Sequence, residues 1–321
     1  MKIAEQVTFG AGLLDRAAEL RSDNTGLLRM AETARVLPVW RGKPMVERIS
    51  DRQIDLAYLT LSHNEVCARR DRLVFLGRDR VGPLFTVDMS DCQPNGDAPD
   101  PSEFVDPTWQ QLPGTPDTQG FAELRNIMAE LTPIEAEAAA TARAILEWHR
   151  IHGFCANCGA HSLPTQAGWQ RTCPDCGRSH FPRTDPVVIM LITHGNAVLV
   201  GRNAQWPAGM FSLLAGFLEP GETVEAATRR EVFEETGVRV GQVDYLSSQP
   251  WPYPSSLMIG TRGLATSTDI TIDPNELEQA IWLSREDMLQ VFAGQNPDVS
   301  PARKGSIAHF LLSNWLADRL D

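Results

Sequence analysis

The pattern of apolar and polar positions along the chain predicts a mixed protein of strands and helices. Short apolar runs bounded by glycine, proline and other turn residues indicate strands. The predicted strands span residues 73–77, 84–88, 187–193, 197–201, 213–217, 243–248, 257–265 and 280–283. Because His194-Gly195-Asn196 separates two of these runs, it predicts a hairpin turn.

Four other segments have the composition and end signals of helices. They span residues 119–131, 133–150, 223–236 and 306–320. Pro133 suits the first turn of the second helix, and Gly237 suits the end of the third. The last of the four is predicted to be an amphipathic helix that closes the fold. The stretch from Asp91 to Pro101 holds three prolines and is predicted to be a loop.

The composition permits two or three domains, each with a hydrophobic core. The chain has 321 residues, and 42% of them are hydrophobic. Its formal net charge of −12 argues against a general nucleic-acid or membrane-surface binder. An anionic substrate would therefore need a cation to supply positive charge.

Several features favour a cytoplasmic protein. Charged residues interrupt the first 21 residues, so no signal-peptide core is expected there, and the apolar run Val187 to Thr193 is too short to cross a bilayer. Four of the six cysteines form two close pairs, a usage typical of metal binding in a reducing compartment. Cys67 and Cys92 are expected to be ordinary thiols.

An acidic helix carries the most informative chemistry. At 100° per residue, Glu231 and Glu235 lie one turn apart, with Glu234 to one side. Like charges at these spacings repel, and hard divalent cations such as Mg²⁺ and Mn²⁺ would relieve that repulsion. A solvated acidic surface helix is the alternative, and the charges alone do not decide between the two.

The segment GFLEPGETVEAATRREVFEETGV, residues 216–238, resembles the Nudix box G-x5-E-x7-R-E-U-x-E-E-x-G-U, where U is aliphatic. Every fixed position is filled, by Gly216, Glu222, Arg230, Glu231, Val232, Glu234, Glu235, Gly237 and Val238. The resemblance implies an α/β/α sandwich with the box as a loop–helix–loop.

The same resemblance assigns roles to the box residues. It implies that Glu231, Glu234 and Glu235 hold catalytic Mg²⁺ or Mn²⁺, and that Arg230 pairs with a glutamate. Glu222, on the loop, could turn toward the metals or toward Arg230. Water would attack phosphorus with help from a glutamate as general base, and which glutamate acts as the base stays open. Alternatively, Arg230 only braces the loop.

Two CxxC pairs predict a structural metal site. Cys155, Cys158, Cys173 and Cys176 have a spacing that suits a tetrahedral Zn²⁺. A redox dithiol is the alternative. A ribbon of this kind can bind nucleic acid, and arginines lie nearby, but a brace between domains is the role we favour.

A proline-rich segment downstream of the box is expected to select the substrate. Ser248 to Ser256, SQPWPYPSS, holds three prolines that interrupt a strand pattern and predict a rigid, extended loop. Trp251 and Tyr253 would be held there as flat surfaces for a base, or alternatively as core fillers. The segment resembles the SQPWPFPxS signature of the NudC family of NADH pyrophosphatases, with Tyr253 in place of Phe.

The NudC resemblance extends to the domain order and to the site. It implies an α+β architecture: a smaller amino-terminal Nudix-like α+β domain (1–150), a zinc ribbon (151–182) and a Nudix domain (183–321). It also implies a homodimer, and Glu276 as a late glutamate in the metal cluster. Gln279 replaces a second acid of some relatives, so the number of metals stays open. The implied substrate-binding residues are Phe181, Phe217, Gln249, Trp251, Tyr253, Ser255, Ser256 and Ala308.

Three hypotheses for function follow. The first is hydrolysis of the pyrophosphate bond of NAD(H), giving NMN(H) and AMP. The second is removal of the NAD cap from the 5′ end of RNA by the same chemistry, although the net charge of −12 argues against a strong sequence-independent grip on RNA. The third is a zinc-ribbon binding module with an inactive Nudix domain, which the intact cluster of Glu231, Glu234 and Glu235 argues against.

Overall fold

A computed structural model describes residues 3–50, 53–97, 100 and 103–320. The chain divides into two compact units. The carboxy-terminal unit comprises Met1–Gly10, Asp185–Pro250 and Ser256–Asp321, and the amino-terminal unit comprises Ala11–Thr184 and Trp251–Ser255. The SQPWPYPSS segment therefore contributes residues to both units.

The carboxy-terminal unit is built on a six-stranded sheet with three helices. Its strands are β10 (Asp185–His194), β11 (Ala197–Arg202), β12 (Leu214–Phe217), β13 (Val240–Trp251), β14 (Ser256–Ala265) and β15 (Gln279–Ser284). Its helices are α5 (Val224–Thr236), α6 (Arg285–Phe292) and α7 (Ile307–Leu316). Strand β10 pairs in parallel with β14 and antiparallel with β11 and β12.

Both faces of this sheet are covered, which explains why β10 is a continuous apolar run rather than an alternating one. Ile189 and Leu191 join a core that includes residues of α6 and α7. The alternate residues Val188 and Met190 join a second core, which includes Val232 of α5. The sheet thus lies between α5 on one face and α6 and α7 on the other, which is the α/β/α sandwich expected from the sequence.

The described part of the amino-terminal unit holds a second six-stranded sheet and four α-helices. The strands are β1 (Arg35–Trp40), β2 (Lys43–Ser50), β3 (Gln53–Leu56), β4 (Val74–Arg78), β5 (Pro83–Asp88) and β6 (Gln119–Phe121). The helices are α1 (Asn24–Ala31), α2 (Asn64–Cys67), α3 (Leu124–Ile127) and α4 (Pro133–Ile151). Short 3-10 turns occur at Ala4–Gln6, Ala18–Leu20, Arg70–Arg72 and Gln166–Gly168.

Helix α4 is set by its first turn and by a buried alanine-rich face. The side chain of Thr132 caps the N-terminus and Glu135 caps it in return, a capping box that satisfies two backbone donors. Pro133 occupies the first turn, where its missing N–H costs nothing. After α4 comes a three-stranded sheet of β7 (Leu163–Thr165), β8 (Gln170–Thr172) and β9 (Ser179–His180).

The strands and helices predicted from periodicity differ from the structure in three places. The helix predicted at residues 119–131 is wrong: β6 occupies its start, where Gly120 pairs with Val46, and the four-residue α3 follows. Pairing with β2 overrides the local helical pattern. Strands β1 to β3, the ribbon strands β7 to β9 and helices α1, α2 and α6 were not predicted. Pro250 does not interrupt β13, because the strand continues to Trp251.

The other predicted elements agree with the structure to within a few residues. The loop predicted from Asp91 to Pro101 lies partly outside the described residues. None of the described helices is long and apolar enough to span a membrane.

Candidate active site

The loop and helix of the acidic segment are shaped by their end residues. Thr223 caps α5, because its side chain accepts a hydrogen bond from the backbone N–H of Ala226. Gly221, on the loop before the helix, has φ of +90°, and Gly237 ends the helix with φ of +71°. Both conformations favour glycine over residues with a Cβ. The loop–helix–loop geometry therefore follows from Gly237, a fixed position of the sequence pattern, and from Gly221, which lies in a variable part of it.

Arg230 joins three of the acidic side chains. Its Nε and NH2 donate to the two carboxylate oxygens of Glu222, each at 2.8 Å. Its NH1 donates to Glu231 and to Glu234, each at 2.9 Å. NH2 also donates to the carbonyl of Phe217 at 2.9 Å. These charged hydrogen bonds, that with Glu222 above all, raise the pKa of Arg230 and lower the pKa of Glu222.

Glu231 lies directly against the backbone of β12. A Cβ added to Gly216 would lie 1.9 Å from the carboxylate carbon of Glu231. Only glycine leaves room for that carboxylate at this point. The glycine that opens the acidic segment therefore positions a glutamate of the helix, a reason that the sequence pattern alone does not give.

Glu235 is the most perturbed acid of the cluster. It is buried, and this burial raises its pKa to about 8, with further upward contributions from Glu231, Glu276 and Glu234. Burial also raises the pKa of Glu231. A buried carboxylate among other carboxylates is stabilised by a cation, which is the chemistry of a divalent-metal site.

Glu276 is brought near Glu235 by backbone hydrogen bonds. The N–H of Thr271 donates to the carbonyl of Thr236, and the N–H of Asp273 donates to the carbonyl of Glu235. Glu276 then follows in a turn, where its N–H donates to the carbonyl of Asp273. The structure thus brings together the helix acids and the late glutamate, which are far apart in the sequence.

The acids converge less tightly than the cysteines do. Among the residues that the structure describes, only the cysteine quartet places three or more possible ligand atoms all within 4.8 Å of one another. Arg230 holds Glu222, Glu231 and Glu234 by hydrogen bonds, whereas Glu235 lies buried. Gathering the carboxylates closer would increase their mutual repulsion unless a cation joined them.

The proline-rich segment forms the end of β13 and the turn that leads into β14. Gln249 is fully buried: its amide nitrogen donates to the carbonyls of Thr8 and Gly305, and its oxygen accepts from the N–H of Ile307. These bonds use both of its donors. Gln249 therefore ties the first residues of the chain and the start of α7 to β13.

The aromatic residues of this segment have well-defined neighbours. The ring centroids of Trp251 and Tyr253 lie 5.0 Å apart, and the Tyr253–Pro254 peptide bond is cis. The guanidinium groups of Arg125 and Arg143 lie 4.5 and 4.4 Å from the centroid of Tyr253. The pKa of Tyr253 is raised because the side chain is buried. A ring that packs in this way is less open to a base than the sequence suggested.

The remaining predicted substrate residues differ in exposure. Phe181 and Phe217 are 67% and 58% exposed, so both rings are open to solvent. Ala308 is buried in the first turn of α7, and Ser256 begins β14 opposite Asp185. Ser255 belongs to the turn before β14. Arg125 and Arg143 were missed by sequence reasoning, since neither belongs to a recognisable motif.

The four cysteines form a compact thiol cluster. Their sulfur atoms all lie within 4.8 Å of one another. Gly159 and Gly177, just after the two pairs, have φ of +78° and +71°, which lets the backbone turn tightly around the sulfurs. The backbone N–H of Arg178 is the main cause that lowers the pKa of Cys176 to about 7. The donor set suits a tetrahedral Zn²⁺.

Comparison with protein-family models assigns three successive matches. Residues 33–148 match the NADH pyrophosphatase-like rudimentary NUDIX domain, residues 150–181 the NADH pyrophosphatase zinc ribbon domain, and residues 182–308 the NUDIX domain. Together with the sandwich and its acidic loop–helix–loop, these matches define a Nudix hydrolase. The zinc ribbon match and the thiol cluster support a structural Zn²⁺.

Two relatives narrow the class to a family. The chain is 35% identical over 254 residues to the NAD-capped RNA hydrolase NudC of Mycobacterium bovis, which covers 76% of this chain and 75% of that protein. It is 46% identical over 202 residues to the NAD-capped RNA hydrolase NUDT12 of Homo sapiens, covering 59% of this chain. The aligned part spans only 43% of that human protein. The chain belongs to the NudC family.

Proposed function

We propose that this chain hydrolyses the pyrophosphate bond of NAD(H) to NMN(H) and AMP, with Mg²⁺ or Mn²⁺ as the catalytic metal. The observation that supports this proposal most is the buried carboxyl of Glu235, whose pKa is raised to about 8 by burial and by the nearby charges of Glu231 and Glu276. Such a group is suited to a divalent cation and to proton transfer near neutral pH. The rudimentary NUDIX and ribbon matches, both described as NADH pyrophosphatase-type, support the substrate.

The residues divide into ligands and positioning groups. Glu231, Glu234, Glu235 and Glu276 would hold the cation, and a divalent cation, when bound, neutralises pyrophosphate charge and activates water for attack on phosphorus. Arg230 orients Glu231 and Glu234 while Glu222 anchors Arg230. Glu235 is the acid that holds a proton most tightly.

The substrate would be held by exposed aromatic rings and by the proline-rich segment. Phe181 and Phe217 expose flat surfaces of the kind that stack on bases. Trp251, Ser255, Ser256 and Ala308 remain proposed substrate contacts. Gln249 and Tyr253 act by shaping the segment, because Gln249 is buried and the half-buried ring of Tyr253 packs against two guanidinium groups.

A second candidate is removal of the NAD cap from RNA by the same residues. It is favoured by the relatives named NAD-capped RNA hydrolase, at 46% and 35% identity.

We also propose a homodimer, a division into domains at residues 1–150, 151–182 and 183–321, and a cytoplasmic location. The location is supported by cysteine usage: none of the six forms a disulfide, and four of them are placed to bind Zn²⁺.

A product assay with matched substrates tests both candidates. NADH, NAD⁺, ADP-ribose and a short NAD-capped RNA are incubated separately with Mg²⁺ or Mn²⁺. Fastest release of NMNH and AMP from NADH supports the main proposal. Faster release of NMN from the capped RNA moves the function to decapping. No product from any of the four would support the inactive binding module instead.

A further inference from the structure

A large cavity in the amino-terminal unit lies outside the acidic cluster. Its volume is about 850 Å³, within the usual range for small-molecule sites. Its walls come from α1, the start of β4, the end of α4 and the ribbon segment 164–168 with Arg171. No residue of the proposed active site lines it.

The cavity concentrates positive charge in an acidic protein. Two carboxylates line it, Asp71 and Asp88, against five arginines: Arg21, Arg70, Arg72, Arg150 and Arg171. Arg72 is paired with Asp91, and Arg150 is paired with Glu147. Arg21, Arg70 and Arg171 have no ion pair among the described residues. Given a net charge of −12, this excess of cations is a local feature.

One of the unpaired arginines is buried and a second is half-buried. Arg171 is only 4% exposed, and its hydrogen bonds go to neutral groups: Ser162, the carbonyl of Gly153 and Nδ1 of His149. The Nε of Arg21 is buried without a hydrogen-bond partner, and its guanidinium lies 4.0 Å from the ring centroid of Trp169. Desolvation lowers the pKa of both arginines. Buried charges are usually paired, so an anion would complete this site.

Apolar side chains form the rest of the wall. Leu27, Leu73 and Leu146 line the cavity, and Leu28 lines it while 53% exposed. Guanidinium groups match the geometry of phosphate oxygens, whereas the leucines suit a flat apolar group. We propose that this cavity binds a nucleoside monophosphate, with its phosphate on the arginines and its base against the leucines.

Binding can be tested without relying on turnover. AMP is titrated by calorimetry into the zinc-loaded full-length chain without added Mg²⁺ or Mn²⁺, and hydrogen–deuterium exchange maps the protected peptides. We expect protection at residues 24–31 and 164–171. Arg70→Gln and Leu28→Glu, both at exposed positions, should each weaken this binding at least tenfold. Arg29→Gln, on the same helix but outside the cavity, is the matched control and should change it less than twofold.

Three outcomes would overturn the proposal. The first is protection from hydrogen exchange only in the Nudix box and the proline-rich segment. The second is an AMP affinity that is unchanged in both Arg70→Gln and Leu28→Glu. The third is inorganic phosphate that binds as tightly as AMP. The first places AMP only at the proposed active site, and the last leaves an anion site without recognition of the nucleoside. The rate of NADH hydrolysis is measured for the same variants and should equal that of the wild type. If the catalytic proposal fails, the wild type itself does not hydrolyse NADH, and this result is independent of AMP binding.

Discussion

The two six-stranded sheets of this protein share the pairing of their first, second, fourth and fifth strands and differ at the third strand, because β3 pairs with β2 whereas β12 pairs with β10. In each sheet the first strand pairs in parallel with the fifth, β1 with β5 and β10 with β14. In each, the first strand also forms an antiparallel hairpin with the second. Two helices follow the last strand of each sheet, α3 and α4 in the amino-terminal unit and α6 and α7 in the carboxy-terminal unit.

A second difference lies between the third and fourth strands. In the carboxy-terminal unit this connection is the 13-residue α5 with its acidic cluster, whereas in the amino-terminal unit it is the four-residue α2. Glu65 of α2 pairs with Arg69 of the next turn. The sheet therefore supports the site, and the proposed chemistry depends on the side chains of the segment that connects the third and fourth strands.

The largest expected effect is a loss of activity when an acid of α5 is replaced, with no loss when an acid of α2 is replaced. Glu235→Gln should lower kcat for NADH hydrolysis by at least about 10²-fold, because the amide cannot carry the negative charge or accept the proton. Glu65→Gln, at the equivalent connection of the other sheet, should leave kcat unchanged. Steady-state kinetics with Tm as a folding control measure both. If Glu235→Gln hydrolysed NADH at the wild-type rate, Glu235 could not be a ligand of the catalytic metal.

A glycine substitution sharpens the comparison at the sheet itself. Gly216→Ala should reduce kcat by roughly 10²-fold, because its Cβ would displace the Glu231 carboxylate that now lies 1.9 Å from that position. Gly153→Ala is the control, since a Cβ there meets nothing within 4 Å. Equal kinetics for Gly216→Ala and the wild type would show that the position of Glu231 is not critical.

The ribbon is expected to affect stability more than chemistry. Cys176→Ser should lose zinc and at least about 2 kcal/mol of stability, a fall in Tm of roughly 4–8 °C for a unit of this size. Cys67→Ser, at an exposed free thiol, should melt as the wild type does. Thermal scanning and zinc analysis test this, and full stability without zinc would contradict a structural role.

The smallest effect concerns a single proton. Because the folded pKa of Glu235 is raised from 4.5 to about 8, the metal-free protein keeps this proton up to about pH 8, and the stability that protonation contributes is lost progressively as pH rises from about 4.5 through 8. Mg²⁺ binding at pH 7 should therefore release most of a proton. Calorimetry in buffers of different ionisation enthalpy measures it, and Glu235→Gln should show no such release. Equal proton release in the two would exclude Glu235 as the source.

Local signals predicted the loop–helix–loop of residues 216–238 well. The spacing of Glu231, Glu234 and Glu235 along a helix, and the glycines at its ends, depend only on neighbours in the sequence. The thiol cluster is equally local, because each CxxC pair is shaped by its own turn. These parts of the structure could be predicted because no distant residue decides them.

Distant contacts account for what the sequence did not show. The side chain of Gln249 donates a hydrogen bond to the carbonyl of Thr8, which is 241 residues away in the sequence. This contact could not be predicted from the SQPWPYPSS segment. The guanidinium groups over Tyr253 come from α3 and α4, which no pattern linked to that segment. The helix wrongly predicted at residues 119–131 likewise depends on pairing with β2.

Product analysis of NADH hydrolysis in H₂¹⁸O with Mg²⁺ tests the central claim most directly. Cleavage of the pyrophosphate predicts NMNH and AMP in equal amounts, with one ¹⁸O in the phosphate of one product and no ADP-ribose. Release of dihydronicotinamide with ADP-ribose, or unlabelled phosphates in both products, would contradict attack of water on phosphorus by this site.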